Sequence, residues 1–289
     1  MATVEISQTA QSQLRLLPEG RTLGVIGAGV MGQTLLGGLL ESGLVSTADV
    51  WATTKSAESC KKVSASLGIV AECDYRAHIP SASVLLLCVK PRQLAGVIQK
   101  LKDADLPADT LLISIAAGFT IGQLEGLMGT ENPWIRAMPN TPCIVRSGMT
   151  VLSAGTHANE LHLDIARRIF EAVGLCRVVE EHYMNAITAL SGSGPAYIYL
   201  ILEALADAGV RVGLPRELAL TLVTQTMQGA TKMVQDSGRH PASLRDDVTT
   251  PAGCTIAGLL MLEDGKIRSV LARAIEEATR TAAQLGNPK

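Results

Sequence analysis

A chain of 289 residues that is 47% hydrophobic and 18% charged carries enough apolar material for one large core or two modest ones, which excludes a disordered chain. A net charge of −2 at pH 7 and an aromatic content of 3% argue against a nucleic-acid partner, which calls for a basic face or a stacking platform. The longest apolar run, residues 111–122, is too short to cross a bilayer, so no membrane partner is expected.

Residues 1–20 are polar, hold one arginine and lack an apolar leader segment, and read as a flexible N-terminal tail. "TLGVIG" (22–27) reads as a strand ending in glycine, and "MGQTLLGGLLESG" (31–43) as a helix stopped by Gly43. "DVWATT" (49–54) follows as a second strand. "SAESCKKVSASLG" (56–68) is then a helix with a serine cap and a terminal glycine. "SVLLLCVKP" (83–91) and "LLISIAAG" (111–118) are continuous apolar strands. Such runs, alternating with helices, predict a parallel sheet covered on both faces: an α/β, doubly wound Rossmann domain over 21–182.

After residue 183 the strand signal vanishes. Residues 195–215, 216–238 and 267–286 read as three long helices, giving an all-helical domain over 183–289. The stretch 195–209 is apolar nearly all round, so it needs cover on several sides, and a second chain is expected to supply part of it.

"GAGVMG" places Gly27, Gly29 and Gly32 as G-x-G-x-x-G between a predicted strand and a predicted helix. In that context Gly27 permits the tight turn, Gly29 lets the backbone approach a pyrophosphate, and Gly32 lets helix and strand pack closely. Gly27, Ala28, Gly29, Val30, Met31 and Gly32 are therefore candidate cofactor residues. An NAD site usually carries an acid at the end of the second strand. Here Ala52, Thr53 and Thr54 precede Lys55, and hydroxyls with a lysine suit a 2′-phosphate. NADP(H) is the expected cofactor, with NAD(H) as the alternative. Two further strand ends, Val89–Lys90–Pro91 and Ala116–Ala117–Gly118, should also line the cofactor, the small residues leaving room for a nicotinamide ring. Lys90 is either a catalytic ammonium or a rim charge.

The six cysteines form no C-x-x-C pair and the five histidines show no metal spacing. No metal is expected, and the thiols read as reduced, in a cytoplasmic protein.

"GVIGAGVMG", "VKP", "SIAAG", "RAMPNTP", "LSGSGPAY", "VGLP" and "DDVTTPAGCT" occur in the order found in pyrroline-5-carboxylate reductases, and the resemblance covers nearly all of residues 21–286. One departure is visible: many members have Pro-Gly-Gly where this chain has Pro251–Ala252–Gly253. The resemblance implies hydride transfer from NAD(P)H to 1-pyrroline-5-carboxylate, giving L-proline. It implies a homodimer interlocked through the helices, with a pentamer of dimers in some members. It makes Thr255 the residue nearest the substrate nitrogen and Thr250 a carboxylate contact. Gly253 and Cys254 would offer backbone N–H groups at a helix start. By the same resemblance Glu181 faces the cofactor. Asp246 and Asp247 are read as hydrogen-bonding residues and not as acids. Small residues in "LSGSGPAY" are read as allowing close packing. Two alternatives stand. One is another NADP-dependent imine or β-hydroxyacid reductase, for which Lys232 is the candidate proton donor. The other is an NADP-binding sensor without catalysis.

Overall fold

The computed structural model describes residues 16–285. Most of the expected tail therefore lies outside the described residues. Its last part does not behave as a tail: Leu16 and Leu17 are apolar and buried in the main core.

The chain divides into two compact units, one formed by residues 1–192 with 278–289 and one by 193–277. The first unit holds eight strands and their connecting helices. In chain order these are β1 (Thr22–Ile26), α1 (Val30–Glu41), β2 (Val50–Thr53), α2 (Ala57–Leu67), β3 (Val70–Glu72) and β4 (Ala82–Leu87). There follow α3 (Pro91–Lys102), β5 (Leu111–Ser114), α4 (Ile121–Met128), β6 (Trp134–Met138), β7 (Gly148–Ala154), α5 (Glu160–Glu171) and β8 (Gly174–Val178). They form one sheet in the order β3-β2-β1-β4-β5-β6-β7-β8. The order reverses between β1 and β4, which makes that point the ligand crevice of a doubly wound sheet.

Burial explains the run-on apolar strands. Along β4, Val84 and Leu86 belong to the core on one face, while Leu85 and Leu87 belong to that on the other. A strand covered on both faces has no polar side to alternate with. The sheet is not wholly parallel, however, because β6 and β7 pair antiparallel. Only a 3-10 turn at Thr141–Val145 lies between them, too little chain for the crossover that a parallel pair needs.

Local signals set the helix ends. Ser56 accepts from Ser59 N at the head of α2, and Gly68, at φ +68°, closes it. Thr120 and Gln123 form a capping box on α4.

The second unit is helical, but with more helices than the three long ones expected. α6 (Gly194–Arg211), α7 (Arg216–Ser237), α8 (Pro241–Asp247) and α9 (Cys254–Asp264) precede α10 (Ile267–Gln284), whose residues from 278 on belong to the first unit. α8 is short, and the polar segment that follows it breaks the periodicity. Among the described residues no helix is long and apolar enough to cross a membrane.

Candidate active site

The glycine loop follows β1 as the spacing requires. Gly27 has φ +97°, and a Cβ there would lie 2.8 Å from Val89 Cγ1. Its N–H donates to Thr53 O at 3.2 Å, and Ala28 N donates to the same oxygen at 2.7 Å. Gly32 packs tightly: a Cβ would stand 2.9 Å from Gly27 O and 3.0 Å from Val25 Cγ1. Gly29 differs, since a Cβ there would meet nothing within 4 Å among the described residues. Gly29 caps α1, so the amides of the first turn, at Val30, Met31 and Gly32, have no helical carbonyl to bond. Space above Gly29 beside free N–H groups at a helix start is what an anion needs.

The end of β2 carries no acid. Thr53 is buried, and its hydroxyl accepts from Gly27 N at 3.2 Å, so it shapes the glycine loop. Thr54 Oγ1 donates to Ser56 O at 3.1 Å. Lys55 is exposed. At the end of β4, Cys88 N donates to Ile26 O at 2.9 Å. Burial pushes the Cys88 thiol up to about 12, so it stays neutral. Val89 is half-buried, Lys90 is exposed and caps α3 with extended backbone, and Pro91 opens that helix. After β5, Ala116 is buried, Ala117 half-buried, and Gly118 has φ +90°. These residues all lie at the carboxyl ends of the central strands.

Sequence reasoning missed a buried ionic network that joins β6 to the start of α4. Arg136, 1% exposed in β6, donates through Nη1 to Glu181 Oε1 at 3.1 Å and through Nη2 to Asn185 Oδ1 at 3.2 Å. The same Glu181 oxygen accepts from Ile121 N, the first amide of α4, at 2.6 Å. A buried guanidinium has to be paired, and Glu181 pairs it. The carboxylate expected to face the cofactor is thus engaged by Arg136 and α4. Asn140 likewise ties the segment after Glu181 to the sheet, donating to Ser191 O at 3.2 Å and accepting from Met149 N at 2.9 Å. The signal for this network is the lone arginine in the otherwise apolar "WIRAM". Of the small residues in "LSGSGPAY", Gly192 packs against Met138, its would-be Cβ 3.3 Å from Sδ; at Gly194 a Cβ would meet nothing within 4 Å among the described residues.

In the helical unit, "DDVTTPAGCT" joins α8 to α9 through a tight turn. Gly253 N donates to Thr250 O at 3.1 Å across Pro251 and Ala252. Gly253 was expected to offer its N–H to a ligand; the turn itself takes that N–H. Cys254 and Thr255, in the first turn of α9, keep amides without a helical acceptor. A Cβ on Gly253 would lie 2.4 Å from Thr250 Oγ1, so this hydroxyl sits directly over the glycine that caps α9. Ala252 holds φ +57°, a left-handed conformation costing a non-glycine residue about 1–2 kcal/mol. Asp247, expected as a hydrogen-bonding residue and not as an acid, stands in an ion pair with Arg239 at 2.6 Å, and that contact holds its carboxyl below the usual range. Lys232, the proton donor required by the β-hydroxyacid reading, is 71% exposed and paired with Asp236 at 2.6 Å.

The helical unit leaves much apolar surface open. Leu200 and Met261 are 65% and 66% exposed, and Tyr199, Leu220, Leu260 and Val270 are also uncovered. So many uncovered large apolar side chains in one unit are what an interaction surface needs.

A glycine loop at the reversal point of a doubly wound sheet, with a second helical unit, defines the class: a Rossmann-type, dinucleotide-dependent oxidoreductase. Residues 22–118 match the family described as NADP oxidoreductase, coenzyme F420-dependent, and residues 181–285 match that described as pyrroline-5-carboxylate reductase dimerisation. A pyrroline-5-carboxylate reductase of Pisum sativum is 40% identical over 272 residues, covering 94% of this chain and 98% of its own. That of Methanosarcina acetivorans is 38% identical, covering 93% and 99%. Among solved structures, the enzyme from Coxiella burnetii superposes with a TM-score of 0.86 at 35% identity, covering 93% of this chain and all of its own. The Plasmodium falciparum pyrroline carboxylate reductase with NADP bound gives 0.83 at 31%, covering 93% and 99%. The chain belongs to the pyrroline-5-carboxylate reductase family.

Proposed function

We infer that the chain reduces the C=N bond of 1-pyrroline-5-carboxylate with NAD(P)H to give L-proline, the last step of proline biosynthesis. The observation carrying this reading is that the family likeness runs through both units and includes the turn at Thr250–Thr255, whose geometry suits an anionic imine.

When bound, NADPH supplies the hydride. The amides of Val30, Met31 and Gly32, with Gly27, Ala28 and Gly29 shaping the loop, would hold its pyrophosphate. Lys55 would take the 2′-phosphate, with Thr53 and Thr54 fixing the backbone that leads to it. Val89, Lys90 and Pro91, with Ala116, Ala117 and Gly118, would line the nicotinamide end, and Lys90 would add a cation at the rim. On the substrate side, Thr250 and the amides of Cys254 and Thr255 grip the carboxylate at the α9 start, while Gly253 keeps the turn closed. The Thr255 hydroxyl would donate to the ring nitrogen as electrons arrive on it. The cofactor roles fall in the first unit and the substrate roles in the second, with the division at 192–193 and not at the expected 182–183.

The exposed helical face supports a homodimer; sedimentation analysis distinguishes it from a pentamer of dimers. The free thiols fit a reducing compartment, and we place the activity in the cytoplasm. The test is NADPH oxidation with 1-pyrroline-5-carboxylate beside its six-membered homologue. Preference for the five-membered ring supports the reading; no turnover of it, with the cofactor bound, contradicts it. Lys55→Glu should depress kcat/KM with NADPH far more than with NADH.

A further inference from the structure

Cys60 and Cys73 stand side by side at the end of β2, which the proposed function assigns to the cofactor's 2′-phosphate. Cys60 is buried in the first turns of α2, and Cys73 is exposed immediately after β3. Parallel pairing of β2 with β3, Thr53 opposite Glu72, brings the residue after β3 level with the loop after β2. The two sulfurs are 3.5 Å apart. Cys60 Sγ also lies 3.1 Å from Thr54 Oγ1. Thr54 N donates to Glu72 O at 3.2 Å, next to Cys73. Short contacts therefore connect the thiol pair to the backbone that presents Lys55.

The geometry points to a modification site: Cys60 and Cys73 form an internal disulfide when a small-molecule disulfide acts as oxidant, and the bond weakens the hold on the 2′-phosphate. Exposed Cys73 loses its proton and attacks one sulfur of the oxidant, whose S–S bond breaks and releases the first small thiol. Cys60 then loses its proton and attacks Cys73 Sγ, forming the protein bond and expelling the second thiol. Two protein thiols lose two electrons and two protons in all, and the oxidant gains them.

A disulfide bond is about 2.0 Å long, so the sulfurs have to close by roughly 1.5 Å from their separation of 3.5 Å. Cys73 is free to move because it is exposed. Cys60 closes the remaining gap by swinging off Thr54, which loses its sulfur contact. That change reaches Lys55 through one peptide. The hydrogen bond to Cys60 raises the Cys73 thiol above its ordinary range, so the reaction should quicken as pH rises. The other buried thiols are poor competitors. Burial pushes Cys176 up to about 11 and raises Cys143 too.

The coupling to cofactor binding rests on the 2′-phosphate reading, whereas the chemistry of the pair does not, and the experiment separates them. The full chain is incubated with oxidised glutathione at pH 8, and NADPH affinity is measured by fluorescence before and after. Trypsin cuts at Lys61 and Lys62, between the two cysteines, so an internal bond yields a cross-linked peptide pair carrying Cys60 and Cys73. The expected result is that pair, loss of the two thiol hydrogens, and an NADPH Kd raised roughly five-fold (about 1 kcal/mol) and restored by dithiothreitol. Cys73→Ser should show neither change. Glutathione adducts on exposed Cys254 without any Cys60–Cys73 peptide would overturn the site. A complete Cys60–Cys73 bond with unchanged NADPH affinity would overturn the coupling.

Discussion

Gly29 and Gly32 belong to one motif, yet the structure gives them different duties, and alanine separates them. At Gly32 an added methyl would sit 2.9 Å from Gly27 O and 3.0 Å from Val25 Cγ1, so α1 would have to lift from β1. Overpacking of this kind costs about 1–3 kcal/mol. For a unit of this size that is a fall in Tm of roughly 2–4 °C per kcal/mol. At Gly29 the methyl would meet nothing within 4 Å among the described residues, and the backbone there, φ −77° and ψ −160°, is open to alanine. The folding cost should be only that of a poorer helix cap, about 0.5–1 kcal/mol. The methyl would instead occupy the space left for a pyrophosphate, and crowding worth about 1–3 kcal/mol corresponds to roughly 5–150-fold in Kd. Calorimetric Tm and NADPH titration on both variants make the comparison. Gly29→Ala should keep most of its Tm and lose affinity, while Gly32→Ala should lose Tm. If Gly29→Ala bound NADPH like the parent chain, the pyrophosphate would not cross this loop and the cofactor assignment would fail.

Thr255→Val should lower kcat by roughly 10²–10³ with NADPH affinity unchanged, since it removes one donor to developing charge; near-full kcat would deny the hydroxyl its role. Thr250→Val should instead raise KM for the imine, because a carboxylate contact serves ground and transition states alike. Ala252→Gly relieves the residue at φ +57° and should lower the imine KM by up to about ten-fold if the turn seen is the one that binds, whereas a rise in KM would mean that another turn does. Acid should destabilise the chain in two steps, a first one near neutral pH because burial holds the His162 imidazole below its ordinary value, and a second one through the carboxylate range. Arg76 holds Asp74 at about 2, and the Arg21 guanidinium keeps the Asp109 carboxyl below its ordinary value. A depressed pKa adds stability above the unfolded value, about 3.9, and loses it as pH falls through the folded one. Urea midpoints should therefore begin to fall below about pH 6.5, where protonation of the half-buried His162 favours the unfolded chain, and drop further toward pH 3, with Asp109→Asn showing a shallower drop in the acid range.

The parts of the fold that show in the sequence are those fixed by neighbours along the chain. β1, β4 and β5 are unbroken apolar runs because both faces are covered, and Ser56, Gly68 and the glycine loop act within a few residues. β6 hides because Arg136 interrupts it. β8 hides because it lies at the sheet edge with only Cys176 of its five residues buried. The site divides the same way. The spacing of Gly27, Gly29 and Gly32 is enough to place a pyrophosphate. The bonds from Arg136 to Glu181 and Asn185 span 45 and 49 residues, and no local pattern reports them. The loss of Gly253 as a donor depends on the turn closing through Ala252, a backbone angle that composition does not set.

Stereospecifically deuterated NADPH, labelled in turn on each face of nicotinamide C4, tests the central claim most directly. The product from 1-pyrroline-5-carboxylate is analysed by mass spectrometry and by chiral chromatography. The account predicts L-proline with one deuterium on the former C=N carbon from one labelled cofactor and none from the other. Unlabelled proline from both, or no proline while the cofactor binds, would contradict it.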